Sequence, residues 1–250
     1  MSKLQFIIQA RTGSSRLPAK VSMNFFNNKS ILEIIIEKLL YAFPSYQIII
    51  ATTKNSDDDS IEAIGDSYSL EVLRGSNDDV LSRFLSIIDD FPCEFICRIC
   101  ADNPFLDVDL LRNLILSDYY KYDYVSYSYN KKPVILTHFG FFGELVSSKS
   151  LKEISKYTTE NKYREHVTNY LYEHPDLFSI NLIDIPNILY ENNFIRLTID
   201  DIVDFELGKS IYGELIKKNL DINYKNVINL LKSRNDIIPV MKNQIKKYHK

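Results

Sequence analysis

The chain has 250 residues, of which 45% are hydrophobic and 25% are charged, and its formal net charge is −3. This composition describes a folded globular protein with a substantial core and excludes a disordered chain. The slight negative charge argues against a nucleic-acid-binding protein, although it allows one local basic pocket. Since the longest apolar runs are broken by charges and the chain starts without a signal segment, the sequence predicts a cytoplasmic protein without a membrane partner.

Short apolar, β-branched runs alternate with segments of helical spacing in the first half of the chain. Ser30 and Glu33 have the spacing of a capping box at the start of one helix, and Asn77 and Asp107 are predicted N-caps of two others. This alternation predicts an α/β fold with a mostly parallel sheet between layers of helices. The predicted strands cover residues 4–9, 47–52, 70–74, 94–99 and 123–128.

The second half of the chain is less regular. The simplest description is one domain over residues 1–250 with a less regular lobe at about 128–192. A helix with an acidic first turn is predicted over 200–218, and the tail at 243–250 is expected to be frayed or solvated. The other predicted elements are a strand pair within 138–148, helices near 149–157 and over 162–174, and strands over 178–184 and 194–199.

The stretch at residues 11–20 follows the first predicted strand and combines cationic side chains with a Gly-Ser-Ser turn. It has the spacing of neither a Walker A loop nor a dinucleotide fingerprint. Its guanidinium and ammonium groups nevertheless suit phosphate oxygens, and the turn can aim backbone N–H groups at an anion. Ligands in open α/β sheets bind at the carboxyl ends of the strands. The loop therefore predicts a polyphosphate site formed by Arg11, Ser14, Ser15, Arg16 and Lys20.

Two aspartates that follow other predicted strands suggest a divalent cation beside that polyphosphate. Asp102 follows the fourth strand, and Asp200 follows the run at 194–199. Mg²⁺ is commonly held by one or two carboxylates together with phosphates and waters. The residues alone leave a second interpretation open, in which both aspartates are turn or helix-cap residues and the basic loop is a solvated turn.

Other conspicuous residues favour structural interpretations. The three cysteines at 93, 97 and 100 fall in a predicted strand, and no second Cys/His pair could complete a zinc site with them. Asp107 and Asp109 imitate the Asp-x-Asp of glycosyltransferases, but they are expected to begin a helix. The three aspartates at 57–59 are expected to be a solvated helix start.

Five blocks of the sequence together resemble one enzyme family. They are "IIQARTGSSRLPAKV" at 7–21 and the stretches at 72–84, 95–107, 163–175 and 195–212. These blocks are similar to those of CTP-dependent sugar nucleotidyltransferases of the spore-coat polysaccharide cytidylyltransferase family, and more distantly to the synthetases of CMP-Kdo and CMP-sialic acid. The blocks occur in the family's order, and the resemblance spans roughly residues 3–215.

The resemblance implies a Rossmann-like nucleotide-diphospho-sugar transferase fold and a Mg²⁺-dependent attack of an acceptor oxygen on the α-phosphate of CTP, which releases pyrophosphate. Asp102 and Asp200 match the family's metal-binding positions, and Arg11, Lys20 and Asp102 are the expected catalytic residues. The expected nucleotide-binding residues are Arg11, Ser14, Ser15, Arg16, Lys20, Thr52, Arg74, Gly75 and Arg98.

The acceptor is less defined by the resemblance. Relatives carry a Gly-Leu-Asp-Val-Glu stretch where this chain has "GFFGE" at 140–144, so an aromatic residue replaces an expected acid. Sugar acids, phosphorylated sugars and other phosphorylated metabolites all remain open, as do a glycosyltransferase of the same fold and a non-catalytic nucleotide-binding protein. Related enzymes are often dimers, which makes a homodimer one expected assembly. The candidate acceptor-binding residues are His138, Arg164, Glu165 and His166.

Overall fold

A computed structural model of the chain describes residues 2–248. Within this range the strands are β1 (Ser2–Gln9), β2 (Asn24–Phe26), β3 (Lys29–Ser30), β4 (Ile48–Thr53), β5 (Glu71–Gly75), β6 (Cys93–Cys100), β7 (Tyr124–Tyr129), β8 (Lys132–Pro133), β9 (Glu144–Ser147) and β10 (Ile180–Asp184). The helices are α1 (Ile31–Ala42), α2 (Asp59–Ser67), α3 (Val80–Asp90), α4 (Val108–Leu116), α5 (Ser148–Tyr157), α6 (Asn161–Glu165), α7 (Asn169–Glu173), α8 (Asn187–Glu191), α9 (Ile202–Lys217), α10 (Tyr224–Leu231) and α11 (Ile237–Lys247).

One mixed, mostly parallel sheet organises the fold, with strand order β10-β7-β9-β6-β1-β4-β5 and β8 paired to β7. β1 pairs in parallel with β4 and β6, and β4 pairs in parallel with β5. β9 runs antiparallel to its neighbours β6 and β7. This arrangement confirms the predicted α/β class. It brings the carboxyl ends of β1 and β6 to the same edge, where a ligand site is expected.

Helices cover both faces of the sheet because the strands are apolar on both sides. Phe6 and Ile8 of β1 face the larger core with α1, α4 and α9, whereas Ile7 faces the smaller core with α3 and α5. The three cysteines lie along β6, with Cys93 and Cys97 buried, as the strand prediction required. No described helix is long and apolar enough to cross a bilayer.

Side-chain capping confirms two predicted helix starts and corrects a third. The capping box of Ser30 and Glu33 is present at α1, and Asp107 caps α4 by accepting hydrogen bonds from two backbone amides. Helix α3 is capped by Asp79, whose carboxylate accepts from the backbone of Ser82 at 2.9 Å, and not by Asn77. Asp79 occupies the N-cap position directly before Val80, the first residue of the helix, whereas Asn77 lies two residues further from it.

Four predictions about the second half were wrong, either wholly or in part. Only Glu144–Ser147 of the expected strand pair forms a strand, and the helix expected over 162–174 is divided into α6 and α7 around Thr168. Residues 194–199 form no ladder; Leu197 and Ile199 instead bond to the backbones of His138 and Asp102. The tail expected to fray is helix α11 up to Lys247, because Ile237 and Met241 are buried beside α9. His249 and Lys250 lie outside the described residues.

Candidate active site

A cavity of about 610 Å³ opens at the carboxyl ends of β1 and β6. Its near wall is the loop after β1, and its far wall comes from residues 134–144 and from the region of α6 and α7. Most residues predicted from the sequence as site residues line it. These are Arg11, Ser14, Ser15, Arg16, Lys20, Arg98, Asp102, Glu165, His166 and Asp200.

Two cations of the loop are paired with the two predicted metal-binding aspartates. The Lys20 ammonium lies 3.2 Å from Asp102 Oδ2 and also donates to the backbone carbonyl of Ile199. The Arg16 guanidinium donates to Asp200 Oδ1. Lys20 is almost buried, whereas about half of the Arg16 side chain is exposed. The loop therefore spans both carboxylates, although 184 residues separate Arg16 from Asp200.

The two aspartates are brought together by a backbone contact and are accompanied by unpaired oxygens. The amide of Ile199, one residue before Asp200, donates to the carbonyl of Asp102 at 3.0 Å. Asn103 Oδ1 and Thr198 Oγ1 line the same cavity and are buried without a hydrogen-bond partner among the described residues. Oxygen donors of this kind fit Mg²⁺. No cluster of three acidic, histidine or cysteine ligands occurs within residues 2–248, so such an ion would also need oxygens from the substrate.

A buried carboxylate under the loop anchors it to the sheet. Asp58 is 1% exposed; Oδ1 accepts from the Thr12 amide at 2.7 Å and the Thr12 hydroxyl at 2.6 Å. Oδ2 accepts from Thr52 Oγ1 at 3.0 Å and from the amide and hydroxyl of Thr53. Burial opposes ionisation, but these hydrogen bonds outweigh it, and the pKa of Asp58 lies below its usual value. The expectation that residues 57–59 are a solvated helix start was wrong for Asp58, because its partners converge from two strand ends.

Three predicted nucleotide-binding residues lie away from the cavity lining. Thr52 is fully buried against Asp58. The Arg74 guanidinium turns back to Asp59 and to Glu62, at 2.6 Å each, and to two backbone carbonyls. A Cβ on Gly75 would come within 2.5 Å of the Arg83 side chain. The structure therefore gives these positions packing and loop-anchoring contacts.

The floor of the cavity holds a charge pair in which Arg98, an expected nucleotide-binding residue, is paired with Glu144, to which the sequence assigned no role. Arg98 donates to Glu144 Oε1 at 2.6 Å and to Gln9 Oε1 at 2.9 Å. Glu144, 2% exposed, also accepts from the hydroxyls of Thr168 and Tyr124. A buried carboxylate needs such partners. The sequence signal that could have identified Glu144 is that it is the one charged residue in the otherwise apolar stretch 139–146.

The candidate acceptor residues separate into two groups. Glu165 and His166 line the cavity, and Glu165 lies 3.6 Å from Arg11. Arg164 instead donates from Nε and Nη2 to one oxygen, Oδ2, of Asp79, the cap of α3. His138 lies outside the cavity lining, with its ring 3.3 Å from a backbone carbonyl.

The family model described as cytidylyltransferase matches residues 5–232. The chain belongs to the cytidylyltransferase family. It is therefore a nucleotidyltransferase that uses CTP.

Two curated relatives resemble this cytidylyltransferase over most of their length. An uncharacterized protein of Methanocaldococcus jannaschii is 37% identical over 223 residues, covering 88% of this chain and 87% of the relative. The spore coat polysaccharide biosynthesis protein SpsF of Bacillus subtilis is 32% identical over 241 residues, covering 94% of this chain and 97% of the relative.

Solved structures show the same fold. A cytidylyltransferase from Leptospira borgpetersenii has a TM-score of 0.82 at 26% identity, covering 95% of this chain and 97% of that chain. A CMP:2-keto-3-deoxy-manno-octonic acid synthetase complexed with CTP has a TM-score of 0.63 at 13% identity, covering 85% of this chain and 99% of that chain. The Rossmann-like nucleotidyltransferase fold implied by the sequence is thereby confirmed.

This cytidylyltransferase also surrounds Asp200 with a buried network that sequence reasoning missed. Arg196 donates to Asp200 Oδ2 at 2.7 Å and to both oxygens of Asp204. Asp204 Oδ2 also accepts from the Asp200 amide at 3.0 Å. Asp201 caps α9. The acidic residues in the first turn of the predicted helix therefore hold Asp200 and its partner Arg196 in place, in addition to interacting favourably with the helix dipole.

Proposed function

We propose that this cytidylyltransferase uses Mg²⁺ to transfer the cytidylyl group of CTP to an acceptor oxygen of a sugar acid or of a phosphorylated sugar or metabolite. The product would be a CMP- or CDP-activated precursor for surface polysaccharide or glycoconjugate synthesis, as the relative in spore coat polysaccharide biosynthesis suggests. The observation that carries the proposal is the cavity in which Arg16 and Lys20 face the aspartates 102 and 200.

The loop cations would neutralise the triphosphate. Arg11, Arg16 and Lys20 line one wall of the cavity, and phosphate oxygens can replace the carboxylates that pair with Arg16 and Lys20 in this structure. Asp102 and Asp200 would hold the Mg²⁺. When bound, that ion would act as a Lewis acid on the phosphate oxygens.

The reaction requires positioning more than covalent chemistry by the protein. The acceptor oxygen, deprotonated in a phosphate or losing its proton to solvent water in a hydroxyl, forms a bond to the α-phosphorus while the bond from the α-phosphorus to the bridging oxygen breaks, and the electron pair of that bond leaves with pyrophosphate. Catalysis of such a step consists of aligning the two substrates and neutralising charge. The loop cations would neutralise the charge, and no covalent enzyme intermediate is needed.

The far wall of the cavity would receive the acceptor. We propose that the region from about 128 to 192 is the acceptor side of a single nucleotidyltransferase domain. It contributes apolar side chains, including Val134, Leu136 and Phe142, beside the polar Glu144 and His166. Phe142 supplies an aromatic surface where the family resemblance led us to expect an acid, which favours an acceptor with an apolar face.

The metal assignment is tested by Asp102→Asn, with Asp109→Asn as the matched control. Asp109 is an exposed aspartate in the first turn of α4. We expect Asp102→Asn to lower Mg²⁺-dependent turnover by more than about 100-fold with unchanged melting temperature, and Asp109→Asn to retain turnover.

A thermal-shift panel of CTP, UTP, ATP and GTP with Mg²⁺ would compare the nucleotides, and a pyrophosphate assay against an acceptor library would identify the acceptor.

Three outcomes would contradict the proposal. Unchanged turnover in Asp102→Asn would remove that residue from the metal site. Sugar transfer from a nucleotide sugar without pyrophosphate release would contradict the proposed reaction. CTP binding without turnover over the whole library would contradict the proposed acceptor classes.

A further inference from the structure

Helix α11 reaches back to the acidic residues beside Asp200. The Gln244 side chain is buried, and its amide nitrogen donates to Asp201 Oδ1 at 2.7 Å and to Asp204 Oδ1 at 3.2 Å. Lys247 Nζ and the Tyr248 hydroxyl donate to Asp201 Oδ2 at 2.8 and 2.7 Å. These contacts attach helix α11 to the start of α9, directly beside Asp200.

The Tyr248 ring lies against two arginines that both hold Asp200. Its centroid is 4.7 Å from the guanidinium carbon of Arg16 and 5.1 Å from that of Arg196. One Arg196 nitrogen, Nη1, is buried without a hydrogen-bond partner among the described residues. An aromatic face attracts such cations. The ring therefore gives both guanidinium groups a cation–π contact in addition to their hydrogen bonds to carboxylates.

Arg16 is the loop cation that the Tyr248 ring contacts. About half of its side chain is exposed, and an exposed arginine on a loop pays rotamer entropy whenever it is held in one position. Its hydrogen bond to Asp200 cannot hold it when Asp200 engages a ligand instead. The Tyr248 ring would still contact the guanidinium in that state, because a cation–π contact does not use the N–H donors.

We propose that Tyr248 is a positioning residue that keeps Arg16 directed at the triphosphate site, and that α11 carries Tyr248 to this place by fastening itself to Asp201 and Asp204. The segment from Ile237 to Tyr248 lies beyond residues 5–232, which the family model matches. This inference rests on the proposed function, because it assigns Arg16 to the triphosphate.

The test is the dissociation constant of CTP with Mg²⁺, measured by calorimetry on the full chain. Tyr248→Leu keeps an apolar side chain but removes the π face, and it should weaken binding by about three- to tenfold. Tyr248→Phe keeps the ring over Arg16 and should restore binding to within about twofold of wild type. Tyr41→Leu changes a tyrosine that is 89% exposed and serves as the control.

A double-mutant cycle separates positioning from general stability. In an Arg16→Ala background Tyr248→Leu should cost less than about twofold in affinity, because the group on which it acts is gone. Melting temperatures of all variants would be compared without nucleotide, and a loss of CTP affinity in a variant that melts like the wild type would mark positioning. An equal loss with and without Arg16 would overturn the proposal.

The two proposals fail in different ways. Wild-type protein that does not bind CTP would refute the proposed function. Wild-type binding together with unchanged binding by Tyr248→Leu would refute only the role of Tyr248.

Discussion

Replacing Asp58 with asparagine is expected to destabilise the protein and to loosen the loop that carries Arg11, Arg16 and Lys20. The carboxylate accepts five hydrogen bonds from Thr12, Thr52 and Thr53. Asparagine has nearly the same shape but puts an NH₂ group where one acceptor oxygen was. The substitution therefore probes the hydrogen bonds and leaves the packing almost unchanged.

The size of the effect follows from which donors can adapt. The hydroxyls can rotate and accept from the new NH₂, but backbone amides cannot. Whichever oxygen is replaced, one buried amide loses its acceptor, that of Thr12 at Oδ1 or that of Thr53 at Oδ2. An orphaned buried donor costs about 1–3 kcal/mol, and the remaining bonds lose their charge assistance. We expect a total loss of about 2–4 kcal/mol in the free energy of unfolding.

Urea unfolding at several pH values measures this loss, with Asp57→Asn as the exposed neighbouring control. Because the pKa of Asp58 is lowered in the folded state, its contribution is complete above the pKa of an unfolded aspartate and is lost only as the pH falls through the lowered value. The difference from wild type should therefore be the same at pH 6 and pH 8 and should shrink in acid. A loss below about 0.5 kcal/mol at pH 7 would refute the reasoning.

Two further substitutions test the backbone at the cavity and a buried amine. Gly140 has φ of +73°, and an added Cβ would lie 2.7 Å from the carbonyl carbon of Leu197; Gly140→Ala should lower the free energy of urea unfolding by about 2–4 kcal/mol. Gly13→Ala, whose Cβ would meet one atom at 3.9 Å, should change it by less than about 0.5 kcal/mol, and equal effects would contradict the strain argument. Burial lowers the pKa of Lys38 to about 7, although the negative charge of Asp107 acts in the opposite direction. Between pH 7 and about 10 the unfolded chain therefore holds a proton that the folded chain has released. Wild type should gain stability over Lys38→Met as pH rises from 7 to 9, by up to about 1.4 kcal/mol per unit, and a constant difference would exclude the shift.

Local patterns were sufficient for much of the fold and for the chemistry of the loop. The capping box at Ser30, the cap at Asp107 and the alternation of strands and helices depend on residues a few positions apart, and the structure confirms them. The cations at 11–20 follow β1 directly, so their position at the carboxyl end of this strand could also be predicted from the local sequence. Residues 194–199 were misjudged because their apolar content reflects packing beside loops and not membership of a sheet.

Partners distant in the sequence were decided only by the tertiary structure. Three adjacent aspartates look alike in sequence, yet only Asp58 is buried, because the loop after β1 and the end of β4 converge on it. Arg74 carries the same charge as Arg16 but faces α2, since its strand lies at the edge of the sheet. Tyr248 reaches Arg16 from a segment whose own sequence predicts only a solvated end. Residue type and local spacing determined which groups could bind phosphate and metal. The packing of segments that are distant in the sequence determined which of these groups face the cavity.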